Sequence, residues 1–368
     1  MLLRHEAKLG NLDHIKHHVN FDTMPTDNEN KFMQRAIDLA KNGRGLVSPN
    51  PMVGCVIVHN DKIIGEGWHM AYGKAHAEVN AINNVQDQNL LSESTCYVTL
   101  EPCSHFGKTP PCANLLIDKH VQKVVIGCID KNPRVGGKGI EKLKAAGIEV
   151  VTGLLEVECR RLNVRFFTSF EQNRPYVILK WAETKDGFVA RENFDSKWIS
   201  NEASRTLVHQ WRAEEDAILV GFNTAKYDNP TLNVRDWKGK NPIRIVIDKV
   251  LALKAGLNLF DHSIPTLVYN TVKKSKEKNL EYIKINEKDF IRNLLEDLNN
   301  RAVKSIIVEG GASVLSDFIV NNLWDEARVF VSPQKFENGI AAPKLDTRAA
   351  ESLNVDTDKL EIIYNEKG

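Results

Sequence analysis

Cys96-Tyr-Val-Thr-Leu-Glu-Pro-Cys-Ser-His-Phe-Gly-Lys-Thr-Pro-Pro-Cys112 is the stretch on which the reading of this chain turns. Cys96 to Leu100 is a short apolar, β-favouring run and reads as a buried strand, while Cys112 to His120 reads as a helix. Between them Cys103 and Cys112 bracket a loop stiffened by Pro110 and Pro111, which lowers the entropy lost when the second cysteine returns to the first. Upstream, His76-Ala-Glu78 opens another helical pattern with Val79, Ala81 and Ile82 inward. A strand feeding a cysteine loop and then a helix, beside a helix that begins on histidine, places four chemically matched side chains at one end of an α/β sheet.

One imidazole and two thiolates, from His76, Cys103 and Cys112, suit Zn2+. Three protein ligands leave the fourth tetrahedral position open, as a catalytic site requires. A structural site would add a fourth ligand, for which His105 is the candidate. Glu78 stands beside this set without joining it, placed to carry protons between water and substrate. That combination is the signature of zinc-dependent nucleobase deamination, with the glutamate as general acid and base.

Working outward, Phe32, Met33, Ala36, Ile37 and Ala40 recur at helical spacing and stop at Asn42-Gly43. Val53–Val58 reads as a buried strand that turns at Asn60-Asp61 into a second one through Ile63 and Ile64. Val121–Ile129 is a strand, Gly139–Ala146 a helix and Ile148–Val151 a strand. The alternation predicts a largely parallel sheet covered on both faces, with both metal-bearing segments leaving neighbouring strands. Residues 1–28 are polar and rich in histidine (His5, His14, His17, His18), and read as a poorly ordered leader. The segment Glu171–Pro175 reads as a boundary, giving domains over 29–172 and 173–368.

The second half repeats the α/β alternation. Its strands are Tyr176–Leu179, Ala217–Val220, Ile243–Ile247, Thr266–Tyr269, Ser305–Val308 and Ala327–Val331, with helices over Glu202–Glu215, Phe290–Leu298 and Val314–Val320. After Ser305–Val308 comes Glu309-Gly-Gly-Ala-Ser313 and then a helix, a turn whose N–H groups can hold a phosphate. Arg212 and Arg235 can grip a substrate phosphate. Lys273–Lys288 reads as a solvated surface.

Lys+Arg is 49 and Asp+Glu is 48, a net charge of +1, which argues against broad attraction to nucleic acid or an anionic membrane. No apolar run is long enough to span a bilayer, and the first residues lack a secretory core. Six cysteines in a chain this long read as metal ligands and buried thiols of a cytoplasmic protein.

The sequence resembles the bifunctional riboflavin-biosynthesis deaminase/reductase family from about Lys31 onward. The marks are Pro49-Asn-Pro-Met-Val-Gly-Cys55, Gly65-Glu-Gly-Trp-His69, His76-Ala-Glu78 and Thr99-Leu-Glu-Pro-Cys103 followed by Cys112. In the second half they are Pro175–Lys180, Asp186-Gly187, Ser196–Ser200, Asp216–Val220, Asp228-Asn-Pro230 and Val308–Gly311. The chain departs from the family's commoner pattern at Trp181–Lys185 and at Lys108. The resemblance implies an N-terminal cytidine-deaminase-like three-layer α/β/α domain and a C-terminal dihydrofolate-reductase-like α/β domain that uses NADPH. It implies zinc on His76, Cys103 and Cys112, Glu78 as proton shuttle, and Asn50 and His69 on the deaminase substrate. It places Ala182, Trp198, Thr224, Asp228, Gly311, Ala312, Ser313, Val314, Leu315 and Ser316 on NADPH. Lys180, Ser196, Arg212, Leu232, Arg235 and Glu309 would meet the ribosyl phosphate substrate, a small molecule, in a homo-oligomer. The implied activity is deamination of 2,5-diamino-6-ribosylamino-4(3H)-pyrimidinone 5′-phosphate, then reduction of the ribosyl chain to ribityl. Two competing readings are a nucleic-acid-editing deaminase and a zinc-stabilised binding protein without catalysis.

Overall fold

The computed structural model describes residues 26–106, 110–132, 136–196, 199–346 and 349–366. The leader over residues 1–25, Lys108 and Trp198 lie outside the described residues. Residues 26–28, read from the sequence as part of the leader, belong to the first helix and its cap. Helix α1 spans Asp27–Ala40 because Thr26 and Glu29 form a reciprocal capping box, Glu29 N–H to Thr26 Oγ1 at 3.2 Å and Thr26 N–H to Glu29 Oε2 at 3.1 Å.

The first domain is a five-stranded sheet between two helical layers. Its strands are β1 (Gly54–His59), β2 (Lys62–Trp68), β3 (Thr95–Leu100), β4 (Lys123–Cys128) and β5 (Glu149–Thr152), in the order β2-β1-β3-β4-β5. Successive residues serve opposite faces. Cys55 and Ile57 pack with Cys96 and Val98 under α2 (Ala77–Asn83), α3 (Cys112–Asp118) and α4 (Lys138–Ala145). Val56, Val58, Tyr97 and Val125 pack with Met33 and Ile37 of α1 and with Cys159, Phe166 and Phe167 of α5 (Glu156–Leu162) and α6 (Val164–Glu171). Both faces are apolar, so these strands show no alternation of hydrophobic and polar residues.

The sheet is less parallel than its sequence suggests. Asn60 and Asp61 adopt φ of 47° and 57°, the left-handed pair of a two-residue hairpin, and so β1 is antiparallel to β2. It is antiparallel to β3 as well; only β3–β4 and β4–β5 are parallel. The metal-bearing segments therefore leave β2 and β3, which flank β1 rather than lie side by side. Being antiparallel to the same strand, these two point the same way and deliver His76 and Cys103 to one edge.

The second domain is built on a ten-stranded sheet. Its elements are β6 (Tyr176–Thr184), β7 (Phe188–Ala190), α7 (Glu202–Glu214), β8 (Ala217–Gly221), α8 (Phe222–Asp228), β9 (Ile243–Ile247), β10 (Thr266–Asn270), β11 (Ser275–Glu277), β12 (Leu280–Lys284), α9 (Phe290–Asn300), β13 (Ser305–Val308), α10 (Ala312–Val320), β14 (Glu326–Ser332), β15 (Ile340–Ala341), β16 (Glu351–Val355) and β17 (Asp358–Tyr364). The order is β11-β12-β10-β9-β8-β13-β6-β14-β17-β16, parallel from β12 through β14. Leu294, Leu298 and Phe318 of α9 and α10 cover one face, and Val208 and Trp211 of α7 cover the other. Strand β13 inserts between β6 and β8, so the chain reverses direction across the sheet there and opens a crevice at the strands' C-terminal ends. The stretch 273–288 is more than a solvated surface: it contains β11 and β12, which bury Leu280 and Ile283 at the sheet edge.

Candidate active sites

His76 caps the start of α2, Cys112 is the first residue of α3, and Cys103 follows β3 by three residues. His76 Nδ1 lies 3.6 Å from Cys103 Sγ and 3.4 Å from Cys112 Sγ. Tetrahedral zinc, with bonds of about 2.3 Å to sulfur and 2.0–2.1 Å to nitrogen, requires nitrogen–sulfur separations of about 3.6 Å. The three donors therefore fit zinc. Among the described residues they are the group of three or more that converges on a possible ion, and His105 is not part of it. Hydrogen bonds from the Cys112 thiol and from His76 bring the Cys103 thiol down to about 4, and the Cys112 thiol is pushed up in turn. The pair thus holds one proton that a metal would displace.

Glu78 is the second residue of α2, in its first turn, and is 3% exposed. Burial, helped by the Cys103 thiolate, pushes its carboxyl up to about 7, a value at which it both takes and gives protons near neutrality. His76, Glu78 and Cys103 open into a cavity of about 310 Å³ that Asn50 and His69 also line. His69 Nδ1 faces the Ala75 carbonyl at 3.1 Å, so it donates there. Its Nε2 then accepts from Asn50 Nδ2 at 3.2 Å. Burial lowers the His69 pKa and keeps the ring neutral, as this pairing requires. The Asn50 carbonyl oxygen takes no part in this bond.

His105, the candidate fourth ligand, lines the cavity without joining the ligand set. Residues to which the sequence gave no role complete this site: Lys74, Asp130 and Asn132 line the cavity. Glu101 accepts four backbone N–H groups: Gly139 at 2.9 Å, Gly137 at 3.0 Å, and Asp130 and Ile140 at 3.3 Å. It caps α4 and fixes the two-residue path from β3 to Cys103. Its place directly before Pro102-Cys103 is the only signal the sequence carries. Asn163 holds Met52 by both backbone groups at 2.8 Å, across 111 residues, with no local signal at all.

The second site is a cleft of about 780 Å³ at the crevice. Lys180, Ala182, Ser196, Arg212, Thr224, Asp228, Leu232, Arg235, Glu309, Gly311, Ala312, Ser313, Val314 and Leu315 line it. Ser316 does not, although Leu315 and Asp317 on either side of it in α10 do. A Cβ on Gly310 would lie 2.9 Å from Thr224 Oγ1, so only glycine lets this turn approach α8. Arg212, which lines the cleft, is already paired within the protein. It is bound to Glu309 by Nε–Oε1 at 2.8 Å and Nη2–Oε2 at 2.6 Å, while Nη1 reaches the Asn233 carbonyl at 3.3 Å. Lys180 adjoins Glu309 across β6 and β13, and burial lowers its pKa. Arg235 remains half exposed beside Asp236, with its backbone N–H on His209 Nδ1 at 3.4 Å.

Residues 26–128 match the cytidine and deoxycytidylate deaminase zinc-binding region, and residues 175–336 match the RibD C-terminal domain. The riboflavin biosynthesis protein RibD of Aquifex aeolicus is 40% identical over 342 residues, 90% of this chain and 95% of that one. The chain belongs to the RibD family.

As a RibD protein it is a bifunctional deaminase/reductase of riboflavin biosynthesis. RibD of Bacillus amyloliquefaciens is 41% identical over 327 residues, 86% of this chain and 87% of that protein. The fold agrees over the same extent. The diaminohydroxyphosphoribosylaminopyrimidine deaminase/5-amino-6-(5-phosphoribosylamino)uracil reductase of Thermotoga maritima superimposes with a TM-score of 0.84 at 36% identity, covering 91% of this chain and 98% of that one. RibD of Acinetobacter baumannii gives 0.83 at 33% identity, over 92% and 98%. Two whole domains of RibD type leave the nucleic-acid-editing reading without support. No helix among the described residues is long and apolar enough to cross a membrane.

Proposed function

We propose that residues 29–172 deaminate 2,5-diamino-6-ribosylamino-4(3H)-pyrimidinone 5′-phosphate. Residues 173–368 then reduce the ribosyl group of the product with NADPH, giving 5-amino-6-ribitylamino-uracil 5′-phosphate. The observation that carries this reading is the spacing of His76 Nδ1 from the two sulfurs, 3.4 and 3.6 Å, with the Glu78 carboxyl buried against them.

When bound by His76, Cys103 and Cys112, zinc supplies the Lewis acidity that makes water nucleophilic near neutral pH. Glu78 takes the proton of that water on a carboxylate oxygen. It returns protons to the ring nitrogen and to the departing amine, which leaves as ammonia. Asn50, oriented by His69, presents a carbonyl oxygen to the pyrimidine's donor groups. In the second cleft the N–H groups of the Gly310–Ser313 turn would hold the cofactor's phosphates, and Thr224 and Asp228 border the same pocket. NADPH, when bound, would supply the hydride, and Lys180, Arg235 and Ser196 would hold and orient the sugar phosphate for that transfer. Arg212 acts through Glu309, which it holds ionised beside Lys180. The cysteines are all unpaired, in keeping with a reducing compartment, and we assign the protein to the cytoplasm.

The test is an assay on purified protein that follows ammonia release and NADPH oxidation separately. Both channels run on the diaminopyrimidine nucleotide, with oxidation dependent on prior deamination. Ammonia released from RNA and not from the free nucleotide would overturn the assignment.

A further inference from the structure

The loop that carries Asn50 rests on the second domain. Gly45, at φ 72°, passes so close to the end of α7 that a Cβ there would meet the Ala213 carbonyl oxygen at 2.8 Å. Three residues on, Ser48 Oγ donates to Asp216 Oδ2 at 2.6 Å. Asp216 is itself fixed. Its Oδ2 accepts the Lys304 N–H at 2.8 Å, and its own N–H donates to Ser305 Oγ at 3.1 Å. Asn50 follows two residues after Ser48, with its N–H on the Val47 carbonyl at 2.9 Å. A second contact holds the other side of the deaminase cavity. Arg165 pairs with the buried Glu215 and precedes Phe166, which lines that cavity.

We propose that Asp216, a residue of the reductase domain, is a positioning residue for the deaminase: through Ser48 it sets the loop that aims Asn50 at the pyrimidine. This rests on the reading of Asn50 as a substrate contact. Asp216 lies at the N-terminal end of β8, whereas the reductase cleft opens at the C-terminal end, beyond Gly221. Five residues of strand separate them by about 17 Å. Asp216 therefore touches neither the sugar phosphate nor the cofactor. The first domain's substrate loop is completed by the second domain's floor, which gives the fusion of the two in one chain a role in the first reaction.

The experiment uses the full-length, zinc-loaded protein. Ser48→Ala and Asp216→Asn each raise the deaminase KM about threefold to tenfold, and the double variant raises it no further than the stronger single one. Zinc content, deaminase kcat, and both reductase constants measured on the deaminated nucleotide stay within about twofold of the parent. Ser48→Thr, which keeps the hydroxyl, stays close to the parent KM. Ser48→Ala removes one oxygen from a loop and keeps the test open where Asp216→Asn fails to fold. An unchanged deaminase KM in Ser48→Ala, or a parallel fall of both activities, overturns the proposal. Asn50→Ala in the same assay separates the two levels: a raised KM there with none in Ser48→Ala sinks only the positioning role, and no change in either sinks the reading of Asn50 as well.

Discussion

Arg212 and Glu309 face each other in parallel, two hydrogen bonds apart, with side chains only 12% and 8% exposed, where α7 meets the end of β13. Burial alone would raise the Glu309 carboxyl, but Arg212 outweighs it and holds the group at about 2. A carboxyl lowered in this way contributes stability that is complete above the ordinary carboxylate range and is lost as pH falls toward 2. Between pH 5 and 8 the pair does not titrate. Glu309→Gln leaves the guanidinium without its counter-charge and costs about 3–5 kcal/mol. Chemical denaturation should register that loss, together with collapse of NADPH oxidation; ammonia release per folded molecule should be unchanged.

Glu78 supports the sharpest separation of the two activities. Glu78→Gln keeps the shape of the side chain and removes its ability to take a proton, so deamination falls by about a thousandfold. The ligands His76, Cys103 and Cys112 are untouched, and metal analysis should still find zinc bound. Reduction of the deaminated nucleotide should be unaffected. A variant that lost its zinc along with its activity would show that the carboxylate holds the site rather than works in it.

Glu101 gives a prediction about metal affinity. Its four N–H partners tie the end of β3 to the start of α4, and Cys103 hangs two residues from that anchor. Glu101→Ala strands those donors and loosens the cysteine. Zinc affinity, measured by competition with a chelator, should fall about tenfold to a hundredfold, as for other groups that orient metal ligands. Glu101→Gln retains one carbonyl oxygen and should fall between the parent and Glu101→Ala.

The zinc ligands were legible in the sequence because thiols and imidazole at that spacing have few other uses, and a single ion needs few partners. The strands were legible because both faces of both sheets are apolar. What the sequence hid has a physical reason in each case. The antiparallel placement of β1 follows from the hairpin at Asn60-Asp61, whose turn was visible but whose consequence for strand order was not. The C-terminal hairpin of β16 and β17 alternates polar and apolar residues on an exposed edge and carries little hydrophobic signal. The pairing of Arg212 with Glu309 spans 97 residues, and that of Ser48 with Asp216 spans 168. A lone arginine or serine carries no mark of a partner so distant. His209, three residues before Arg212, shares one face of α7 with it, a spacing to which the sequence analysis gave no role.

His209 predicts an acid limit for the reductase. Its Nδ1 accepts the Arg235 N–H, and its Nε2 lies 3.2 Å from Asp236. Burial, with Arg212 and Arg235 acting in the same direction, lowers its pKa to about 4. A histidine lowered in this way contributes stability that is complete above its ordinary pKa near 6.5 and fades as pH falls toward 4. Protonation there also turns Nδ1 into a donor and breaks its bond to Arg235. The reductase KM for the sugar phosphate should therefore rise from about pH 5 downward. In His209→Gln that acid limb should be absent, and KM should be raised at all pH values.

Arg165 and Glu215 join α6 of the first domain to the reductase sheet, with Glu215 fully enclosed and Arg328 3.8 Å away. Burial opposes the Glu215 charge, yet Arg165 holds the carboxyl at about 2, so the pair is ionised at neutral pH. Removing only the arginine leaves a buried carboxylate with one remote charged partner, Arg328, and the Ser305 hydroxyl. Arg165→Leu should cost about 3–5 kcal/mol and split thermal unfolding into two transitions, one per domain. Replacing both residues removes the stranded charge, and Arg328 keeps Glu326 at 2.6 Å. The double variant Arg165→Leu/Glu215→Leu should therefore recover most of the lost stability and unfold as a single unit in calorimetry. A double variant less stable than Arg165→Leu would mean that the carboxylate contributes through contacts other than this ion pair.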